Sequence, residues 1–286
     1  MKSIIRYCLI CAFLCRSLSA FTGNASVVEC ADSLYAAGNF KLAALEYERV
    51  FYSSMDDVLR CEALLKKSYC YKSLGDYEKG AQTLQRINLS FLSDSLQYKV
   101  RYEHALDCFL AGKYGDADEL LMQINYYTKN KDLTNKSLYL DILNKNELQE
   151  WDAADSMFYV YIKLKNIAID SNTIHDLLKR PRLLNPKTAA IISYIVPGSG
   201  QMYSGHVLRG LSSIILQGGA GTYTYFCIKD GFYISGVLIG FDIFQMLYFG
   251  GADYAYYLTD KKNTDKIMLH NRKIREFILK QENTGN

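Results

Sequence analysis

Four stretches of this sequence superpose at a step of 37 residues: AAGNFKLAALEYERV, SLGDYEKGAQTLQRI, LAGKYGDADELLMQI and ELQEWDAADSMFYVY. The aromatics Phe40, Tyr77, Tyr114 and Trp151 hold that step, and Gly38, Gly75 and Gly112 hold it two residues earlier. Small residues follow at Ala43, Gly80, Ala117 and Ala154, then large ones at Tyr47, Leu84, Leu121 and Phe158. Val50, Ile87, Ile124 and Tyr161 form a further column, and Ala31, Ser68, Ala105 and Ile142 precede the turn. A chain that repeats at this length is confined to arrays of one supersecondary unit, each burying its apolar face on the next. The columns predict a helix, a glycine-containing turn and a second helix in each unit. The small residue lets the two helices approach, and the aromatic is expected to fill the gap between neighbouring units.

These columns resemble the tetratricopeptide repeat, whose usual period is 34, over about residues 24–165. The three extra residues fit the connections near Ser53–Val58, Ser90–Ser95 and Lys129–Thr134. Two departures stand out: no proline ends a unit, and Gln149 replaces the glycine of the fourth. The resemblance implies an all-α superhelix of about four helix-turn-helix repeats that binds a peptide or protein. If the first helix of each unit lines the groove, Tyr35, Tyr69, Lys72, Tyr102, Phe109 and Tyr139 face the partner, although tyrosine is abundant here and these rings also suit packing between units. Residues 166–187 read as a basic linker, with a capping helix at Thr173–Arg180 stopped by Pro181.

Residues 1–20 have the form of a signal peptide: Lys2 and Arg6, a short apolar core at Tyr7–Leu14, and small residues at Ser17 and Ser19. The core is too short to span a bilayer, which takes about 20 residues. Export to the periplasm of a bacterial envelope is expected. Cleavage would leave a neutral chain, and charge gives no basic excess of the kind a nucleic-acid binder shows. Export permits disulfides. Cys70 and Cys108 sit one position off the repeat on neighbouring first helices; buried free thiols are the preferred reading, with pairing left open.

Twelve of the 19 glycines lie between Gly198 and Gly251, in a stretch almost free of charge. Gly210–Ile228 is uncharged for 19 residues, and Gly231–Ala252 is interrupted only by Asp242. Lys229-Asp230-Gly231 reads as a hairpin turn between two spans, with Gly236 and Gly240 forming a GxxxG packing motif. Residues 188–257 are therefore expected to be a glycine-rich helical membrane hairpin, followed at 258–286 by a basic helix or tail. Just before the first span, Pro197, Gly198, Gly200, Gln201, Tyr203, Gly205 and Gly210 match a P-G-x-G-Q-x-Y-x-G pattern. It resembles that of a small bacterial two-helix membrane domain of the TM2 type, over about residues 186–262. The resemblance implies location and fold rather than a reaction. Proline and glycine break a helix, and broken backbone at membrane depth needs internal partners, which Gln201 and Tyr203 can supply. A re-entrant or interfacial elbow at Ile191–Gly205 is expected, with Ser199 a simple turn residue. Asp242 is an acid inside a span, a feature that is costly and often functional; Arg209, Gln217 and Tyr203 are its conceivable partners. Two spans put both flanks on one side, and a third at Thr188–Tyr203 would separate them.

No H-E-x-x-H, Walker loop, dinucleotide fingerprint or nucleophile elbow occurs, the histidines are scattered, and no Cys/His spacing suits a metal. The expectation is a non-enzymatic, membrane-tethered scaffold without metal or cofactor that binds a protein partner on the periplasmic side. The rival reading is a component of an envelope transport or membrane-protein insertion machine.

Overall fold

A computed structural model describes residues 27–284; the expected signal peptide, 1–20, lies outside the described residues. Among the described residues the fold is all-α, with no strand. The described residues form two compact units, divided between Ala168 and Ile169.

The first unit is four helical hairpins. They are α1 (27–36) with α2 (Phe40–Ser53), α3 (Asp57–Ser73) with α4 (Tyr77–Leu84), α5 (Asp94–Leu110) with α6 (Tyr114–Tyr127), and α7 (Lys131–Glu147) with α8 (Trp151–Leu164). Each hairpin turns through a left-handed residue: Gly38, Gly75 and Gly112 have φ of 77°, 74° and 75°. The amide just past that residue reaches back five positions, as Asn39 N–H to Leu34 O and Asp76 N–H to Tyr71 O, both 2.9 Å. This is the Schellman closure, which satisfies helix-end carbonyls and favours glycine at the left-handed site. Gln149 keeps the same backbone, at φ 60°, without glycine's freedom.

The repeat columns are the core. Ala31, Ser68, Ala105 and Ile142 are fully buried, as are Ala43, Ala117 and Phe158, with Leu84, Leu121 and Ala154 nearly so. A column not anticipated above starts the first helices: Asp56, Ser93 and Asn130, also 37 apart, each accept a backbone N–H of the following turn.

Two expectations change. The aromatics of the turn column are half-buried, and two of them pack within their own unit on the residue five earlier. Phe40 meets Tyr35 at 5.3 Å between centroids and Tyr114 meets Phe109 at 5.5 Å. The left-handed turn brings the start of the second helix over the end of the first. In the second repeat α4 is short, 8 residues against 14 for α2, α6 and α8. Ile87 falls beyond it, and Ile87, Leu89 and Leu92 of the connection fold onto Cys61, Leu65, Leu84 and Val100.

The second unit begins with α9 (Ser171–Leu178), the expected capping helix, which packs on the C-terminal helix. Then come α10 (Pro186–Ile195), α11 (Ser199–Tyr203) and α12 (Val207–Lys229). After the turn at Asp230–Phe232, α13 (Tyr233–Ser235), a π-helical turn (Gly236–Phe241) and α14 (Asp242–Thr284) follow one another. Tyr233–Asn283 is the one helix, among the described residues, both long and apolar enough to cross a membrane. The basic tail is therefore the continuation of this helix, where Ile274 and Ile278 are fully buried. α12 has spanning length at 23 residues but carries Gly, Ser, Thr and Gln. The GxxxG pair faces it: a Cβ on Gly236 would stand 3.2 Å from Cys227 Cβ, and one on Gly240 3.1 Å from Thr224 Cα.

Candidate functional site

In the first unit the six groove candidates all lie on first helices and all are half-buried. They are engaged with one another or with their own unit. The Tyr102 and Tyr139 hydroxyls hydrogen-bond each other across successive repeats, and Tyr102 also stacks on Tyr98. Tyr35 and Phe109 make the aromatic pairs described above. Lys72 is not a free cation: its Nζ is 2.6 Å from Glu103 Oε2, 3.2 Å from Asp107 Oδ1 and 5.5 Å from the Tyr69 ring centroid. Burial, and then the Glu103 carboxylate, push the Tyr69 phenol well above its usual range. This face is rich in tyrosine, and its one cationic candidate, Lys72, is already paired.

Sequence reasoning missed the acids of this face. Asp107 is fully buried, and its Oδ2 has no hydrogen-bond donor. Burial raises its carboxyl to about 6, against the pull of Lys72 and with a further push from Glu103. Cys70, Asp107 and Asn144 form a 37-residue column facing the small residue of the preceding repeat. Gly80, where the other repeats have alanine, leaves the room Asp107 needs: a Cβ there would stand 2.6 Å from Oδ2. In the next repeat Asn144 Nδ2 donates to the Tyr114 carbonyl at 3.0 Å, which an ionised carboxylate cannot do. Ion pairs join each repeat to the next, as Lys67–Glu48 at 2.6 Å, Lys113–Glu78 at 2.6 Å and Lys145–Asp118 at 2.9 Å. Pairs open to solvent, such as Lys113–Glu78, contribute little stability.

The cysteines Cys61, Cys70 and Cys108 are buried free thiols, each raised by burial to about 11. Cys70 packs on Ala43 and Tyr47, and Cys108 on Ala81 and Ala117, in separate clusters.

In the second unit the motif builds the elbow. α10 is 10 residues, roughly 15 Å at 1.5 Å per residue, about half a hydrocarbon core. Its last carbonyls are covered by Ser199, whose Oγ donates to Ile192 O at 2.6 Å and lies 2.7 Å from Val196 O. Ser199 is thus more than a turn residue. Gly198 caps α11 at φ 83°. Gly200 lies against α10 and α14: a Cβ would collide with the Ala189 carbonyl and stand 2.7 Å from Ala255 Cβ. Gln201 is 1% exposed; its Nε2 donates to Gly251 O at 2.8 Å and its Oε1 lies 3.3 Å from Ser193 Oγ. Tyr203 OH accepts Asn185 N–H at 3.4 Å, which returns α11 to the end where α10 began. Gly205, at φ 91°, makes the turn into α12, and Gly210 packs on Gly198 O and Met202. Residues 188–203 therefore form no single helix of the length expected for a third span.

The strap before α10 is tied to the middle of α14. Asn263 Oδ1 accepts Leu184 N–H at 2.9 Å, its Nδ2 donates to Leu184 O at 2.7 Å, and Lys266 Nζ donates to Arg182 O at 2.6 Å. Asp242 stands outside the motif. Its side chain is exposed, and the three expected partners are occupied: Arg209 with Tyr254, Gln217 with Ser213 and Leu247, and Tyr203 with Asn185. Hydropathy gave its depth along the helix but not its side.

The fold defines an all-α chain of four helical-hairpin repeats joined to a glycine-rich helical unit with one long apolar helix. Comparison with protein-family models, curated proteins and solved structures finds no match for the chain.

Proposed function

We propose that this protein is a non-enzymatic, membrane-tethered repeat scaffold of tetratricopeptide type. The repeats bind a protein or peptide partner on the periplasmic side, and the glycine-rich unit anchors them as a two-helix hairpin of α12 and the helix beginning at Tyr233. One observation carries the reading: in the most apolar 18-residue window of Tyr233–Asn283, 11% is buried. A core helix of a soluble protein buries most of such a window; lipid is the solvent that suits an exposed one. The exposed apolar side chains run from Ile191, through Leu208 and Ile215 of α12, to Tyr257. The left-handed turns, the buried small-residue column and the tyrosine-rich first helices support the repeat half of the reading.

Three measurements on one preparation test it. The full chain should resist alkaline carbonate extraction from membranes, whereas a protein ending at residue 180 should be soluble after export. Labels at residue 180 and at the C-terminus should report the same side of the membrane. Crosslinked partners should survive loss of residues 188–286. Ready carbonate extraction, or labels on opposite sides, overturns the anchor; loss of every crosslink in the shortened protein overturns the repeats as the binding part.

A further inference from the structure

One concave cluster in the second unit gathers cations that are not ion-paired. A recess of ≈ 460 Å³ opens where α12 starts and the long helix emerges from its apolar stretch. Arg209, Lys261, Lys262 and His206 line it, with Asp265 as the one acid. Among the described residues none of the three strong bases has an ion-pair partner. Arg209 Nη1 donates to Tyr254 OH at 2.7 Å and its guanidinium lies 5.7 Å from that ring's centroid. Lys262 Nζ donates to Ser204 O at 2.7 Å. Both contacts are neutral: they aim the cations without cancelling their charge. Gly205 has no side chain where one would press on Lys262, since a Cβ would stand 2.8 Å from Nζ.

The cluster sits at a boundary. Exposed Val207, Leu208 and Leu211 follow it on α12, and exposed Tyr254, Tyr256 and Tyr257 precede it on the long helix. Tyr254 and Tyr257 stack at 6.2 Å. Tyrosine marks the level of lipid headgroups, and cations just beyond it meet phosphate. We infer that this recess binds the phosphodiester of an anionic phospholipid, Arg209 as a bidentate donor and Lys261 and Lys262 as point charges. The inference rests on the membrane-anchor reading, which fixes the recess at headgroup depth.

The full chain, purified in detergent and reconstituted into phosphatidylcholine vesicles with or without phosphatidylglycerol, tests it. Integration is read by flotation, and headgroup preference by competition between spin-labelled phosphatidylglycerol and phosphatidylcholine. The native chain should prefer the anionic lipid by about tenfold. Arg209→Gln with Lys261→Gln should bring the ratio near one, while Lys273→Gln, an exposed cation elsewhere on the same helix, should leave it unchanged. Normal flotation of all variants, with a native ratio near one, overturns the site and leaves the anchor standing; failure of the native chain to float overturns both. Displacement of the labelled lipid by millimolar inorganic phosphate would assign the recess to a soluble anion and overturn the lipid as its occupant. An equal fall in the Lys273→Gln control would reduce the preference to general surface charge and overturn the site.

Discussion

Tyr102 and Tyr139 stand one repeat apart and join hydroxyl to hydroxyl across the boundary between the third and fourth repeats. Each provides the other's polar partner in a half-buried site, and burial, with Tyr139 next, drives the Tyr102 phenol far above its usual range. Removing either hydroxyl leaves the other without that partner. Tyr102→Phe and Tyr139→Phe should each cost about 1 kcal/mol in a fragment ending at residue 180. The double variant should cost less than the two together, by about 0.5 kcal/mol or more. Strict additivity in denaturant melts would mean that the two hydroxyls are not coupled.

Gln149 holds a left-handed turn that glycine holds in the other three repeats. The left-handed region costs an ordinary residue about 1 kcal/mol relative to glycine. Gln149→Gly should therefore raise the melting temperature of the repeat unit, although glycine substitutions usually lower it. Gly75→Gln, the reverse change two turns earlier, should lower it. A fall in the Gln149→Gly melt would show that the Gln149 side chain contributes more than its backbone costs.

Asp107 gives the repeat unit a pH dependence with a definite sign. Its folded carboxyl titrates at about 6, above the roughly 3.9 of an unfolded chain. Between those values the folded state binds the extra proton, so this group's contribution to stability falls as pH rises from about 4 to 6. Asp107→Asn cannot ionise and regains a donor of the kind Asn144 uses. Its stability relative to the native protein should improve between pH 4.5 and pH 7.5, by up to about 2 kcal/mol. A difference that stays flat across that range would place the Asp107 titration elsewhere.

The elbow separates two kinds of substitution. Gly200→Val forces side-chain atoms into the Ala189 carbonyl and Ala255, so the second unit should lose packing and its membrane abundance should drop severalfold. Ser199→Ala removes a helix-end hydrogen bond, a change of about 1 kcal/mol, and should lower abundance only slightly. Normal accumulation of Gly200→Val would show that α10, α11 and α14 do not pack as described.

Much of the first unit was legible because its columns report burial directly: positions 43, 117, 121 and 158 read as core and are core. The helix starts carried a signal of the same period in Asp56, Ser93 and Asn130, a polar column that sequence reasoning missed beside the louder aromatic one. Spacing could not say that Phe40 and Tyr114 pack inward on their own repeats, because that depends on the turn's handedness. Nor could it foresee the short α4, whose connection supplies its own apolar residues. In the second unit the Pro-Gly motif announced a break in the helix. The partners that close the break, Gly251 and Asn185, lie 50 and 18 residues from the Gln201 and Tyr203 they meet. Pairings of that separation leave no periodic trace in one sequence.

The double hydrogen bond between Leu184 and Asn263 has a mechanical consequence. Tension arriving along the chain from the repeats meets α9 on the long helix first, then Lys266 at the Arg182 carbonyl and the Leu184–Asn263 staple, all before α10 or α12. The pull should therefore load α14 before it loads the elbow. A unit wired in this way should yield first by peeling α9 and the strap of residues 182–185 from the long helix, before α12 is drawn away from it.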